Sequence, residues 1–142
     1  MKRKITTIAA VIIALVASVY SANANVKPYK DLNNKEVLFS YVSASILGSD
    51  MYNKIMFADD FEYRNTANDD KHDKKSYLKY LKSLKDNKFD CEQTIEILDQ
   101  TGNTTIGKVT MEFPTFKRVD YVTLVQSEEG WKIKNVTTTY PL

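Results

Sequence analysis

The second half of the chain, from Cys91 to Tyr140, consists of four successive segments in which apolar and polar residues alternate. The segments read CEQTIEILDQ, TIGKVTMEFPTF, RVDYVTLVQ and WKIKNVTTTY. Valine, isoleucine, threonine and tyrosine dominate them, as is typical of strands. Short linkers containing Gly102 and Gly130 join the first pair and the last pair, as hairpin turns do. Because side chains alternate between the two faces of a strand, this half predicts an antiparallel sheet with one apolar face.

Helical patterns precede these strands. Asn33 followed by Glu36 is a capping-box signal, and Gly48 is a typical helix stop, so a first helix is expected between them. Its apolar spacing is helical, with Leu38, Tyr41, Val42 and Ser45 on one face. A short second helix is expected through MYNKIMF, capped by Ser49 or Asp50. The pattern of ADDFEYRN then predicts a short strand.

The next stretch, NTANDDKHDKK, is polar and highly charged, and we interpret it as a mobile surface loop. Helical spacing returns in SYLKYLKSLKDN, where the apolar side chains share one side and the lysines lie opposite. Helices followed by consecutive strands define the α+β class, in which the helices cover one face of the sheet. Trp131 begins the last strand on its apolar side, and we interpret it as an anchor of the core. The alternative is that it forms the wall of a site.

The first 24 residues have the pattern of a secretory signal peptide. A basic start, Lys2 to Lys4, precedes an apolar run from Ile5 to Val19, and Ala22 and Ala24 form an A-x-A cleavage site. The run is shorter than the roughly 20 residues that a spanning helix needs. We therefore expect cleavage after Ala24, export to the periplasm or medium, no stable membrane anchor after cleavage, and one domain over residues 25–142.

Composition excludes several classes of function. The chain has 20 Lys and Arg against 18 Asp and Glu, and three of the basic residues belong to the leader. The remaining 17 basic and 18 acidic residues give a formal charge of −1, which argues against binding of nucleic acid. Cys91 is the only cysteine and His72 the only histidine. An internal disulfide is impossible, a zinc site of ordinary ligands is not expected, and no cofactor is indicated.

The order of these motifs resembles the nuclear transport factor 2-like superfamily, which includes ketosteroid isomerases and SnoaL-like polyketide cyclases. The resemblance rests on the helix ending in LGSD, then MFADDFEYRN, the helix SYLKYLKSL and the hairpin SEEGWKI, and it covers roughly residues 33–140. More narrowly, DYVTLVQSEEGWKIKNV is similar to the late strands of exported bacterial proteins described as "putative lumazine-binding". The resemblance implies a cone, in which helices pack in the concave face of a strongly curved sheet.

The same resemblance implies a pocket at the open end of the cone and, in many members, a dimer formed through the sheet. Both alternating sets of RVDYVTLV contain apolar residues, which also favours a covered outer face. Ketosteroid isomerases use a tyrosine and a protonated aspartic acid as oxyanion donors and an aspartate base. Tyr41 matches the tyrosine and Asp120 is the candidate for the acid. Asn65 falls at the position of the base, and an amide cannot accept a proton at neutral pH.

From this pattern we expect an exported protein that binds a small, largely apolar molecule without transforming it. One alternative is an isomerase or cyclase that uses Tyr41 and Asp120. Another is a structural or interaction module whose pocket is filled by its own side chains. Asp59 and Asp60 are interpreted as solvating the start of a strand. The candidate pocket residues are Tyr41, Phe61, Tyr63, Tyr77, Met111, Asp120, Tyr121 and Trp131.

Overall fold

The first long helix shows how local sequence fixes the start of the domain in a computed structural model that describes residues 26–142. Helix α1 spans Asn34–Ile46; the Asn33 side chain accepts from the backbone of Glu36, and the Glu36 side chain accepts from Asn33 in return. The predicted capping box is therefore confirmed. The predicted signal peptide and its cleavage site lie outside the described residues. Within residues 26–142, no helix combines the length and apolarity needed to cross a membrane.

Gly48 ends α1 as predicted, in the left-handed conformation with φ of +68°. The Ser49 N–H donates to the carbonyl of Ser43, which closes the turn. A Cβ at Gly48 would lie within 2.7 Å of the backbone of the segment 84–87. Both the turn and this close approach therefore require glycine.

The chain then forms a short helix and a hairpin. Helix α2 is confined to Asn53–Met56, without a side-chain cap from Ser49 or Asp50, and strand β1 spans Phe57–Asn65. The prediction of a surface loop over NTANDDKHDKK is partly wrong, because Lys71–Asp73 forms strand β2, antiparallel to β1. Helix α3, Lys74–Ser83, begins directly after it, capped by the Asp73 side chain on the N–H of Ser76. Backbone pairing with β1 makes β2 a strand, since its sequence lacks apolar alternation.

Four long strands complete the sheet, close to where they were predicted. They are β3 (Glu92–Thr101), β4 (Thr104–Glu112), β5 (Lys117–Ser127) and β6 (Gly130–Thr139). The order across the sheet is β2-β1-β6-β5-β4-β3, and all neighbours are antiparallel except β1 and β6. The second segment was predicted to run to Phe116, but β4 ends before Pro114, and the Phe113 N–H donates to the carbonyl of Phe116 across a turn. The α+β class and the mainly antiparallel sheet are confirmed.

One face of the sheet packs against the helices. A register shift opposite Lys134 changes the alternation of β6, so that Ile133 and Val136 both face inward. Val122 of β5 pairs with Val136, and Gly107 of β4 pairs with Val122. A Cβ on Gly107 would lie 2.7 Å from the Leu38 side chain, so α1 packs directly on this strand. The core therefore lies between α1, α3 and the concave face of the sheet.

The far end of the β5–β6 hairpin is closed by the segment before α1. Trp131 is 7% exposed and lies in the core cluster. Tyr29, in a 3-10 turn Tyr29–Asp31, donates its hydroxyl hydrogen to the backbone carbonyl of Trp131. Gly130 has φ of +105° and lies against the backbone of Lys30. Trp131 thus occupies the anchoring position that its place in the sequence indicated.

Candidate functional site

A buried polar cluster lies between α1 and the centre of the sheet. Asp120 and Arg118 are two residues apart on β5, so their side chains lie on the same, inner face. The guanidinium donates to the Asp120 carboxylate from Nε and Nη2, each at 2.9 Å. Thr138 of β6 donates to Asp120 at 2.7 Å, and the Tyr41 hydroxyl of α1 donates at 2.5 Å. Asp120 is fully buried and its four acceptor positions are all used.

This arrangement shifts the pKa values of Tyr41 and Arg118. Burial raises the pKa of Tyr41 well above its ordinary value, and the Asp120 charge adds to this effect. Burial alone lowers the pKa of Arg118, but the adjacent Asp120 carboxylate outweighs it and holds that pKa above its usual range. Tyr41 gives its single hydroxyl hydrogen to Asp120, so this hydroxyl does not donate to an oxyanion in this geometry. The two groups considered from the sequence as oxyanion donors therefore bond to each other in this structure.

A cleft opens at the end of the sheet opposite Trp131. It has a volume of about 160 Å³ and is partly open to solvent. Its lining combines the end of α1, one residue of α3, the segment after α3, the β4–β5 turn and the two strand ends beside them: Ser45, Ile46, Tyr80, Phe89, Phe113, Phe116, Arg118 and Tyr140. Arg118, the charged residue of this lining, also belongs to the buried cluster and is here called the floor of the cleft.

The walls of the cleft are aromatic. Phe113 and Phe116 stack with ring centroids 4.5 Å apart and planes inclined by 12°, and Tyr140 lies 6.1 Å from Phe116. Four of the rings, here called the rim aromatics, are between 38% and 50% exposed: Tyr80, Phe89, Phe116 and Tyr140. Aromatic surface left exposed in one place on a folded protein marks a binding site more often than scattered exposure does.

The structure distributes the residues predicted for the pocket differently. Six of them lie in the core at 7% exposure or less: Tyr41, Phe61, Tyr77, Met111, Asp120 and Trp131. Tyr63 is half-buried on β1 and stacks on Tyr77. Tyr121 is 39% exposed on the outer face of β5, between two inward-facing neighbours. None of these eight residues lines the cleft described above.

The lining was missed because its residues sit at the ends of elements, where periodicity is weakest. Phe113 and Phe116 flank Pro114, and Tyr140 follows the last residue of β6. Aromatic residues that recur at element boundaries, together with a proline that ends a strand, were the available signal. The i, i+2 spacing of Arg118 and Asp120 also predicts that the two side chains share a face.

A second depression lies on the surface beside β2 and α3. Its walls are Asp59, Asp73, Lys74, Lys75 and Leu78, and Lys74 pairs with Asp59 at 3.3 Å. Asp60 pairs with Lys134 of β6. Both aspartates at the start of β1 are therefore exposed residues that form ion pairs with lysines. His72 lies on β2 with its ring 5.8 Å from that of Tyr63. These groups form a solvated charged surface and do not converge on a common point.

Solved structures with this architecture define the class of the fold. A nuclear transport factor 2-like protein of unknown function from Silicibacter pomeroyi superposes with a TM-score of 0.62 at 14% identity, covering 75% of this chain and 92% of that one. One from Methylobacillus flagellatus gives 0.59 at 20% identity, covering 82% and 100%. One from Cytophaga hutchinsonii gives 0.60 at 12% identity, covering 78% and 100%. The fold is therefore of the nuclear transport factor 2-like type.

The sequence itself identifies the family. Residues 32–140 match the family described as "Putative lumazine-binding", so the chain belongs to that family. None of the curated proteins matches the chain. The resemblance inferred from the motif order is thus confirmed in both its broad and its narrow form.

Proposed function

We propose that this domain binds a small, planar, largely apolar molecule in the aromatic cleft. The observation that carries the proposal is the grouping of the four rim aromatics around a concavity whose floor is Arg118. Inserting a ring between such side chains removes apolar surface from water, at about 25 cal/mol per Å². The family description "Putative lumazine-binding" supports a ligand of this kind, since lumazine is a flat heterocycle of two fused rings.

The volume of the cleft limits the size of the ligand. At about 160 Å³ it is close to the engineered cavity of about 150 Å³ that accepts benzene. Sites for drug-sized ligands are roughly 300–1,000 Å³. A ligand of one or two rings fits with one edge at the open mouth, whereas a four-ring steroid does not fit without displacing the rim.

Binding without chemical conversion is the form of the proposal that the lining supports. The residues that line the cleft include no carboxylate, histidine or lysine, and Arg118 is held by Asp120. A general acid or base needs a pKa near the working pH and a place within reach of the substrate. Two groups were considered for catalysis, Asp120 and Tyr41. Tyr41 donates its hydroxyl hydrogen to Asp120, and neither residue lines the cleft.

The binding test compares two phenylalanines of similar exposure. Phe116 is 50% exposed on the rim and Phe39 is 56% exposed on α1, outside the cleft lining. Calorimetric titration with lumazine should show saturable binding, and Phe116→Ala should weaken it about tenfold or more, as loss of an aromatic stacking partner does. Phe39→Ala should leave the affinity unchanged. Equal losses in both variants, or no binding to the wild type, would refute the proposal.

Export is proposed from the sequence of residues 1–24. The basic start, apolar run and A-x-A site together support cleavage after Ala24. N-terminal sequencing of protein from the extracytoplasmic fraction should then give Asn25 as the first residue. Recovery of that fraction with Met1 intact would contradict the proposal.

We also propose that the protein forms a homodimer through the outer face of the sheet. Ile106 and Tyr121 are each 39% exposed on adjacent strands of that face, within a surface otherwise rich in threonine. Covering them would remove apolar area from water on both subunits. Sedimentation at micromolar concentration should show a dimer that Tyr121→Lys dissociates, and a wild type that sediments only as a monomer would rule this out.

A further inference from the structure

The Arg118 guanidinium uses only part of its donor capacity inside the protein. Arginine carries five N–H donors in one plane. Nε and Nη2 donate to Asp120, and the other contact of Nη2 is with Thr138 Oγ1 at 3.5 Å. Within residues 26–142, Nη1 has no hydrogen-bond partner. Two N–H donors of a largely buried cation are therefore unpaired by protein groups.

Nη1 is accessible from the cleft. The Arg118 side chain is 13% exposed and belongs to the cleft lining. Among the described residues, the only fully buried side-chain nitrogen or oxygen without a partner is Asn53 Oδ1. Nη1 therefore keeps some exposed surface, and the concavity that Arg118 lines is the cleft. A donor in such a position forms a stronger hydrogen bond than one in bulk water, because the surroundings are less polar.

The pairing with Asp120 determines what kind of acceptor suits this donor. Asp120 already neutralises the guanidinium, with two contacts of 2.9 Å along the opposite edge. A neutral carbonyl oxygen can accept from Nη1 without adding charge to the buried cluster. A second carboxylate would face Asp120 across the guanidinium at short range, where like charges oppose each other.

We propose that Nη1 of Arg118 donates to a carbonyl oxygen on the inner edge of an aromatic ligand bound in the cleft. The ligand class is thus a one- or two-ring aromatic compound with a neutral carbonyl group directly on the ring system. This inference rests on the proposed function, because it assigns the orientation and the polar requirement of the same ligand. Arg118 is then the residue that determines specificity, and the rim aromatics supply most of the contact area.

A pair of ligands of similar size tests the inference in the wild-type protein. In 2-acetylnaphthalene a carbonyl oxygen takes the place of one methyl group of 2-isopropylnaphthalene. An apolar cleft without a donor favours the isopropyl compound, which is the more hydrophobic. Donation from Arg118 reverses the order, and the acetyl compound should bind roughly ten- to a hundredfold more tightly, the range for hydrogen bonds to charged groups. Ligand fluorescence at micromolar concentration measures both affinities.

The outcomes separate the two proposals. Equal affinities, or tighter binding of the isopropyl compound, overturn the role of Arg118 and leave an aromatic-binding cleft. Failure of both compounds to bind removes the cleft as a ligand site and this inference with it. Arg118→Lys keeps a cation for Asp120 but lacks the planar fork, so the preference for the acetyl compound should shrink to a few-fold at most. Arg64→Lys, at an exposed ion pair with Asp69, is the matched control and should keep the full preference.

Discussion

Tyr77 and Tyr80 lie one turn apart on α3, with rings 5.8 Å from each other, yet they belong to different regions of the molecule. Tyr77 is 1% exposed and packs edge-to-face on Phe57 in the core, whereas Tyr80 is 43% exposed on the rim of the cleft. The residue type and the helix are the same, and only the direction of the side chain differs. Whether an aromatic residue builds the core or the site is therefore decided by its position relative to the curved sheet.

The same contrast in exposure separates the buried aromatic residues of the core from the rim aromatics. The core aromatic cluster consists of side chains that are at most 1% exposed and contact one another: Tyr41, Phe57, Phe61 and Tyr77. The rim aromatics are about half exposed and surround open space. The first group should therefore contribute to the free energy of unfolding, and the second group should contribute to binding. Arg118 lines the cleft and donates to Asp120, which accepts from Tyr41 of the core aromatic cluster, so the two regions are linked through Asp120.

The largest expected effect is the difference in free energy of unfolding between truncating a buried ring and truncating a rim ring. Trp131→Ala should lower the free energy of unfolding by about 3–5 kcal/mol, because it empties a large site that the structure cannot refill. Phe116→Ala should lower it by about 0.5 kcal/mol or less, as for a surface residue. Urea unfolding followed by circular dichroism measures both. A loss below about 1 kcal/mol for Trp131→Ala would mean that this residue does not anchor the core.

The sequence could predict the core better than the cleft, because the core follows from periodicity. The capping box of Asn33 and Glu36, the glycine stop at Gly48 and the buried faces of β4, β5 and β6 all appear in the structure. Each is a local signal with a known physical cause. The order of the elements then sufficed to identify the fold class.

The features that could not be predicted depend on contacts between distant segments. Strand β2 exists because Lys71–Asp73 pairs with β1, and nothing in KHD itself favours a strand. The register shift at Lys134 turns Val136 and Thr138 inward, which strict alternation from Trp131 would not. The cleft forms where the ends of several helices and strands that are distant in sequence meet. Six of the eight candidate residues, chosen for aromatic and acidic character, therefore fell in the core, and none of the eight lines the cleft.

A second test concerns the buried polar cluster and removes one hydrogen bond to Asp120. Thr138 is fully buried and donates to Asp120 at 2.7 Å, while its neighbour Thr139 points to the outer face. Thr138→Val preserves the shape but leaves one acceptor position of Asp120 unpaired, so stability should fall by about 1–3 kcal/mol. Thr139→Val is the control and should change stability by less than about 0.5 kcal/mol.

The same pair of variants should separate stability from binding. Asp120 keeps its bonds from Arg118 and Tyr41 in Thr138→Val, so the guanidinium stays in place at the floor. Lumazine affinity should therefore match the wild type at temperatures where the variant is folded. A loss of affinity in the folded variant would show that the buried cluster and the cleft are coupled more tightly than the two-region description allows.

The smallest expected effect concerns alkaline pH. Burial, followed by the charge of Asp120, raises the pKa of Tyr77 above its ordinary value near 10, and burial does the same for Tyr41. Above pH 10 the unfolded state loses these phenolic protons while the folded state keeps them. The stability that these two tyrosines contribute is therefore complete below pH 10 and falls as the pH rises toward the folded pKa values, with a slope for each that approaches about 1.4 kcal/mol per pH unit above pH 11.

Tyr77→Phe isolates one of these contributions. Its hydroxyl has a single contact, 3.4 Å from that of Tyr41, so the substitution removes a titrating group at little structural cost. Between pH 10 and 11, the variant should lose about 1 kcal/mol less stability than the wild type, because the unfolded phenol is half ionised at pH 10 and almost fully ionised at pH 11. Phe57→Leu, a change at a ring in contact with Tyr77, should lower stability at every pH without altering the slope. Urea melts across this pH range measure how the free energy of unfolding changes with pH. If both variants show the same change as the wild type, Tyr77 ionises in the folded state. The boundary between core and rim would then lie deeper in α3 than the side-chain exposures indicate.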